Sequence, residues 1–393
     1  MDASVIIDLG NSETRVIVLY DKPQSKSETF KRKRFTFSNR FAEIDSKYTP
    51  SSNYTEDTTT IFKANGKLND IPVDEVYYAN GELQEKEFYV GSLRPSATEK
   101  KYNSLTTILS YELAILRGTE FLMNEKGVAP DDISWFVTIL LPPGDMEVGQ
   151  SRAVALVKSV KRIESTFPKM SFSINLKRVS VLQEGFCAYI ATVFERGQKL
   201  RTNFKYLLSE TTLVLDIGAG TTDFLVVRDN KIIESTRHTV ARGGNNVTQI
   251  VRKRLSMEYD GLNLPESIVA KGIENGFVKD GSKSIDITGF TVMAKDEVAK
   301  QLVSDAQGYL EETEYPIRTI GRLICCGGGA IGINEGGTTK ALSEAVVTYF
   351  KKLSPNIELV ELPRSTDGII SPRDLNVVGG SILGEVMQMQ EKK

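Results

Sequence analysis

Residues 213–228, LVLDIGAGTTDFLVVR, constrain the fold of this chain more than any other stretch. An apolar strand runs to Asp216, turns through Gly218-Ala219-Gly220-Thr221-Thr222, and a second apolar strand leaves. The bend is too short and too rich in glycine to start a helix, so it reads as a β-hairpin. Its glycines let the backbone approach an anion with no Cβ in the way, and consecutive N–H groups in such a turn form an anion-binding nest. Asp216 cannot bind phosphate directly, but it can hold a hydrated Mg²⁺ that does. One such hairpin is ordinary. Residues 5–20, VIIDLGNSETRVIVLY, repeat it: a shift of 208 positions lays Asp8 on Asp216, Gly10 on Gly218, Thr14 on Thr222 and Val18 on Val226. Two such hairpins far apart in one chain predict two similar halves, each presenting a phosphate loop to a shared cleft.

The pair Asp8-Leu-Gly-Asn and Asp216-Ile-Gly-Ala-Gly-Thr-Thr-Asp resembles the phosphate-1 and phosphate-2 motifs of the actin, sugar-kinase and heat-shock-chaperone ATPase superfamily. The resemblance implies an α/β chain of the actin-like ATPase fold, with two similar RNase H-like domains flanking a nucleotide cleft. On that plan residues 1–208 form the first domain, 374–393 return to it, and 209–373 form the second.

Composition removes several other chemistries. A chain of 393 residues has room for two or three domains. A formal net charge of −2 argues against a broad nucleic-acid-gripping surface, so no direct nucleic-acid binding is expected. One histidine, His238, excludes His-based metal sites and Ser-His triads. Cys187, Cys325 and Cys326 have no metal-binding spacing and lie in apolar sequence, which predicts small buried hydrophobes in a reducing cytoplasm. No apolar run approaches the roughly 20 residues a bilayer requires, and Met1-Asp2 leads directly into a core strand. A cytoplasmic protein without a membrane anchor is expected.

Along the chain, Lys31-Arg32-Lys33-Arg34-Phe35-Thr36-Phe37 reads as a charged edge strand. Residues 48–101 form a surface elaboration, in which Asn80-Gly81 is the expected bend of a hairpin joining 76–78 to 88–90. Periodicity predicts a helix over 105–124, a strand buried on both faces over 133–141, and a helix over 149–167 stopped by Pro168. Residues 171–182 alternate as one strand, and a helix begins near 183–189. Gly243-Gly244 with an Asn cap opens a basic amphipathic helix. Further helices are expected over 265–275, 293–312 and 338–352, and residues 374–383 lead into a short terminal one.

The Gly327-Gly328-Gly329-Ala330-Ile331-Gly332 run also satisfies the dinucleotide fingerprint, but a Rossmann reading leaves the two hairpins unexplained. Strand-GGGA resembles instead the adenosine motif of the same superfamily, and Val377-Val378-Gly379-Gly380 its second connecting motif. Glu184 follows a strand where a carboxylate can orient a water at the γ-phosphate and accept its proton. A helix-N-terminal Glu favoured by the macrodipole is the plain alternative. The resemblance favours the catalytic one, with Gln183 as the secondary candidate. Lys271 and Glu274, three apart on one helix face, read equally as a nucleotide contact or a surface ion pair.

Within the superfamily the chain resembles the ParM-type plasmid-segregation actins, through the strand end Ile139-Leu140-Leu141-Pro142 and the strand 179–184 that enters Glu184. That resemblance implies an ATPase that polymerises with ATP bound and disassembles after hydrolysis, in DNA segregation through a DNA-binding adaptor. ATP is the expected nucleotide, with GTP open, and Mg²⁺ is held through water by Asp8 and Asp216. Gly10, Asn11, Ser12, Gly218, Ala219, Gly220, Thr221, Thr222, Gly243 and Gly244 cradle phosphates. Gly327, Gly328, Gly329 and Ala330 line the nucleoside, and Glu184 is the base, with Asp8 and Asp216 as its catalytic partners. A small-molecule kinase of the same superfamily is the alternative.

Overall fold

Both glycine bends are β-hairpins, and their ladders share one register. The structure is a computed structural model that describes residues 1–10, 13–23, 28–44, 59–69, 71–73, 76–81, 89–93, 100–330, 341–365 and 368–390. In chain order come β1 (Asp2–Leu9), β2 (Glu13–Tyr20), β3 (Lys31–Ser38), β4 (Phe41–Ile44), β5 (Thr59–Lys63), β6 (Tyr77–Gly81) and β7 (Tyr89–Leu93). There follow α1 (Leu105–Lys126), β8 (Ser134–Leu141), α2 (Met146–Ser159), β9 (Arg162–Phe167), β10 (Lys169–Ser173), β11 (Asn175–Gln183) and α3 (Phe186–Val193). Then come β12 (Thr212–Ile217), β13 (Thr222–Arg228), β14 (Lys231–Val240), α4 (Gly244–Glu258), α5 (Glu266–Asn275) and α6 (Thr288–Leu310). The chain ends with β15 (Arg322–Cys326), α7 (Leu342–Leu353), β16 (Glu358–Leu359) and α8 (Leu375–Gln390). Two compact units result: Met1–Ile190 with Phe194–Lys199 and Val377–Lys393, and Ala191–Val193 with Leu200–Asn376.

The first unit carries a five-stranded sheet ordered β11-β8-β1-β2-β3. β1, β8 and β11 run parallel; β2 is antiparallel to β1, and β3 is antiparallel to β2. Alternation along β1 sends Val5, Ile7 and Leu9 into a core with α1 and α2 residues, and Ile6 into a smaller core with Cys187 and Val377. The second unit repeats this plan as β16-β15-β12-β13-β14, with the same strand directions. Leu213, Leu215 and Ile217 of β12 face its core, formed with α4, α6 and α7. Asp8 pairs with Arg15 and Leu9 with Thr14; Asp216 pairs with Asp223 and Ile217 with Thr222. Each pair maps onto its counterpart by the same 208-residue shift.

Several local expectations are corrected. The 149–167 segment is not one helix: α2 ends at Ser159, and Arg162–Phe167 is a strand paired to β5 and β10. Ile163 and Ser165 alternate as a strand requires, and this outranks Pro168 as a helix stop. The 171–182 stretch is two strands of different sheets, β10 in a six-stranded sheet and β11 in the five-stranded one. Asn80-Gly81 is not a hairpin bend, since β6 pairs with β4 and β5, and β4 lies between β6 and β7. The cap of α4 is Gly243, and Asn246 reaches back from the third helical position to accept its N–H at 2.8 Å. The terminal helix is 16 residues long and contains the Val377–Gly380 motif rather than following it. The 31–37 segment is an edge strand, and all three cysteines are buried and free.

Candidate functional site

In the first unit the carboxyl ends of three parallel strands lie side by side. Asp8 is in register with Leu140, and Leu141 with Gln183. The Glu184 N–H donates to the Leu141 carbonyl at 2.8 Å, which fixes where the chain leaves the sheet. Parallel α/β sheets bind ligands beyond such carboxyl ends. Asp8 and Glu184 both act on the buried Cys187. Burial first, and then the charges of these two carboxylates, push its thiol well above the ordinary value.

Glu184 is buried, with a side chain 5% exposed, and Lys101 Nζ stands 2.6 Å from its Oε1. The Lys101 carbonyl accepts from Thr107 Oγ1 at 2.7 Å, and neighbouring Lys100 pairs with Asp145 at 2.7 Å. The segment entering α1 is therefore pinned beside the proposed base. Gln183 is buried, and among the described residues neither its amide oxygen nor its amide nitrogen has a partner. Gly10 donates its N–H to Glu13 O at 3.0 Å and closes the bend. Asn11 and Ser12 lie outside the described residues.

In the second unit Gly218 N–H donates to Thr221 O at 2.8 Å, the same closure 208 positions on. The carbonyls of Gly218 and Ala219 turn toward the start of α4 and accept from Gly244 N at 3.0 Å and Asn245 N at 2.7 Å. A Cβ on Gly243 would stand 2.5 Å from Gly218 O, so only glycine permits this docking. Thr222 Oγ1 ties the base of the hairpin to Arg242 O at 2.7 Å. Among the described residues no backbone acceptor takes the N–H of Ala219, Gly220 or Thr221. The bend thus directs carbonyls to one side and leaves a run of amides for an anion.

Asp216 Oδ2 accepts from Asn376 Nδ2 at 2.5 Å. The Gly327–Gly329 turn packs directly on the end of β12. Gly327 has φ +82°, and a Cβ there would stand 2.4 Å from Asp216 Oδ1; one on Gly329 would stand 2.4 Å from Ile217 Cγ2. Those two glycines have an intramolecular reason, close packing, independent of any ligand. Among the described residues a Cβ on Gly328 would meet only Arg373 Nε, at 3.6 Å, and that buried nitrogen has no hydrogen-bond partner among them. Ala330 follows in the same turn.

Lys271 and Glu274 are exposed on α5, and no ion pair joins them among the described residues. Neither is brought to the hairpin by any contact seen here. Four residues escaped the sequence reading: Lys101, Asn39, Asn376 and Arg373. Asn376 immediately precedes the Val377-Val378-Gly379-Gly380 motif and Arg373 lies four positions before it, both within reach of it. Lys101 and Asn39 act through tertiary contacts that no local pattern announces.

This is the actin-like fold. Residues 214–336 match the family described as archaeal actin homologue MreB-like, C-terminal. Alp7A, an actin-like protein, superposes with a TM-score of 0.68 at 15% identity, covering 100% of this chain and 98% of that one. A subunit of a 15-stranded ParM filament from Clostridium botulinum gives 0.65 at 14% identity, over 98% of this chain and 99% of that one. The archaeal actin homologue Ta0583 in complex with ADP gives 0.62 at 14%, over 98% and 99%. No curated protein sequence matches the chain.

Proposed function

We propose that this protein is a ParM-type actin-like nucleoside triphosphatase that polymerises with ATP, or GTP, bound and disassembles after hydrolysis. The carrying observation is the repeated bend, with its tied Gly10 and Gly218 carbonyls and the amides of residues 219–221 left without backbone acceptors. Those amides cradle phosphate oxygens, as do the hydroxyls of Thr221 and Ser12. Gly243 and Gly244 support that cradle by holding the bend from behind. Asp8 at the end of β1 and Asp216 at the end of β12 are the carboxylates that would hold hydrated Mg²⁺, each at its own bend. Bound there, Mg²⁺ would neutralise phosphate charge. Asn376 holds Asp216 by a hydrogen bond.

Glu184 orients the attacking water and accepts its proton, which requires it to be ionised. Gly327 to Ala330 face the nucleoside, where Arg373 Nε, unpaired among the described residues, supplies a donor. The triphosphate and diphosphate states differ in the contacts available at the two bends, and this difference biases the conformation that assembles. Self-association is supported by the fold shared with a ParM filament subunit. Segregation of plasmid DNA through a DNA-binding adaptor is the cellular role we infer.

Sedimentation with and without Mg-ATP tests this reading. Polymer should pellet with nucleotide and disperse as phosphate is released. Glu184→Ala should retain nucleotide binding, lose turnover and prolong the polymer. Protein that stays monomeric with ATP and GTP over a range of salt would overturn the filament reading. Turnover stimulated by a metabolite rather than by protein concentration would favour a kinase.

A further inference from the structure

The same carbonyl is restrained in both bends, but by different means. In the second unit Gly218 O accepts from the backbone of α4, at Gly244 N. In the first unit its counterpart, Gly10 O, accepts from a side chain, Asn39 Nδ2. The hydroxyl counterparts follow suit: Thr222 bonds the Arg242 carbonyl, and Thr14 bonds Asn39 Oδ1. Ser110 Oγ of α1 also donates to Asn39 Oδ1, at 3.0 Å. Two hydroxyls on the oxygen and one carbonyl on the nitrogen use the amide in one orientation only, since the flipped amide would face acceptor to acceptor. Asn39 is 2% exposed and lies in the short connection between β3 and β4, where the five-stranded and six-stranded sheets meet.

Asn39 is in turn held from the six-stranded sheet. Asn80, on β6 and 7% exposed, donates through Nδ2 to Ser38 O at 2.7 Å and to Arg40 O at 3.1 Å. These are the carbonyls on either side of Asn39. Asn80 touches neither bend, yet it fixes the peptide that carries the residue that does.

We propose that Asn39 and Asn80 are positioning residues forming a two-step brace from the six-stranded sheet to the bend of the first unit. A contact made on that sheet thereby reaches the Gly10 carbonyl through two amide side chains. The bend's meaning as a phosphate loop rests on the nucleotide reading above; the brace itself does not. A connected chain of bonds is a physical route, and coupling along it has to be measured.

The test is amide exchange at Gly10 and Thr14 in nucleotide-free protein, with nucleotide affinity measured separately using ADP. Asn39→Asp keeps the acceptor for Thr14 and Ser110 but removes the donor to Gly10 O. Asn80→Ala removes only the remote step. Both should speed exchange at Gly10 and Thr14 about tenfold, the scale of one lost hydrogen bond, while β8 and the Gly218 bend stay protected. Ser165→Ala is the control: it removes a buried bond of the same sheet, Ser165 Oγ to Ile61 O at 2.8 Å, and should leave Gly10 unmoved. Unchanged exchange at Gly10 in Asn39→Asp, or equal effects of Asn80→Ala and Ser165→Ala, would overturn the brace. Should Asn39→Asp not fold, the Asn80→Ala and Ser165→Ala comparison decides alone. ADP affinity should fall in both Asn variants and not in the control. If wild-type protein binds no nucleotide, the nucleotide reading fails while the exchange data still decide the brace.

Discussion

Lys101 Nζ lies 2.6 Å from Glu184 Oε1, and both groups are largely withdrawn from water, with side chains 18% and 5% exposed. A lysine so placed sets the direction of the lone pairs left for a water. Removing it leaves a buried carboxylate without this partner, which costs about 2–4 kcal/mol. We expect Lys101→Met to lower stability by that order. Glu184→Gln should cut turnover by roughly 100-fold or more while nucleotide still binds. In denaturant melts the double variant should lose less than the sum of the two singles, because one interaction is being removed twice.

Asn376 and Asp216 give a second expectation. The amide donates to the carboxylate at 2.5 Å from 160 residues away in sequence. Hydrogen bonds to charged groups are worth about 1.5–3 kcal/mol, so Asn376→Ala should disturb Asp216 measurably. If Asp216 organises the water shell of Mg²⁺, the Mg²⁺ concentration needed for half-maximal nucleotide binding should rise about tenfold or more. Binding of nucleotide without Mg²⁺ should change far less. Equal losses with and without Mg²⁺ would show that Asn376 serves the fold rather than the metal.

Glu112 sets a pH dependence unrelated to catalysis. It is fully buried on α1; Oε1 accepts the Asn65 N–H at 2.7 Å, and among the described residues Oε2 has no partner. Burial raises its carboxyl well above 4.5, and the Asn65 bond only partly offsets this. A carboxyl raised in the folded state binds protons more tightly there than in the unfolded chain. Its contribution to stability is therefore full below pH 4.5 and declines as pH rises toward the folded value, by at most about 1.4 kcal/mol per pH unit. Glu112→Gln keeps the Asn65 bond and removes the titration. In thermal melts between pH 5 and pH 8 the variant should gain on wild type as pH rises, until the folded value is passed. A constant difference across that range would show that Glu112 titrates normally.

The duplicated hairpins and their strand directions were legible because glycine spacing and apolar runs are local signals with a strict geometry. The repeat also transferred in detail: the Gly10–Glu13 and Gly218–Thr221 closures keep the register read from sequence alone. Partner choice between strands was not legible. Arg162–Phe167 continues from a helical pattern, and its pairing with β5 and β10 makes it a strand. Asn80-Gly81 carries the signature of a tight turn, but the Asn80 side chain is used as a donor to Ser38 and Arg40, which a turn tip could not reach. Lys101 sits in a polar stretch beside Lys100, and nothing local marks which of the two meets Glu184.

The last expectation concerns two glycines of α8. A Cβ on Gly379 would stand 1.7 Å from the Cys187 carbonyl oxygen, at backbone that cannot be moved aside without displacing α3. A Cβ on Gly384, in the same helix, would meet Ile6 Cδ1 at 3.5 Å, an ordinary contact. Helix propensity alone favours Ala over Gly by about 1 kcal/mol at either site. Packing reverses the sign at only one of them. Gly379→Ala should destabilise the first unit by about 2 kcal/mol or more, the scale of an overpacked core, and expose Cys187 to thiol reagents. Gly384→Ala should leave Cys187 protected and hold or raise stability. Chemical denaturation together with the rate of Cys187 labelling separates these outcomes, and equal behaviour of the two variants would mean that α8 does not press on the Cys187 carbonyl as described.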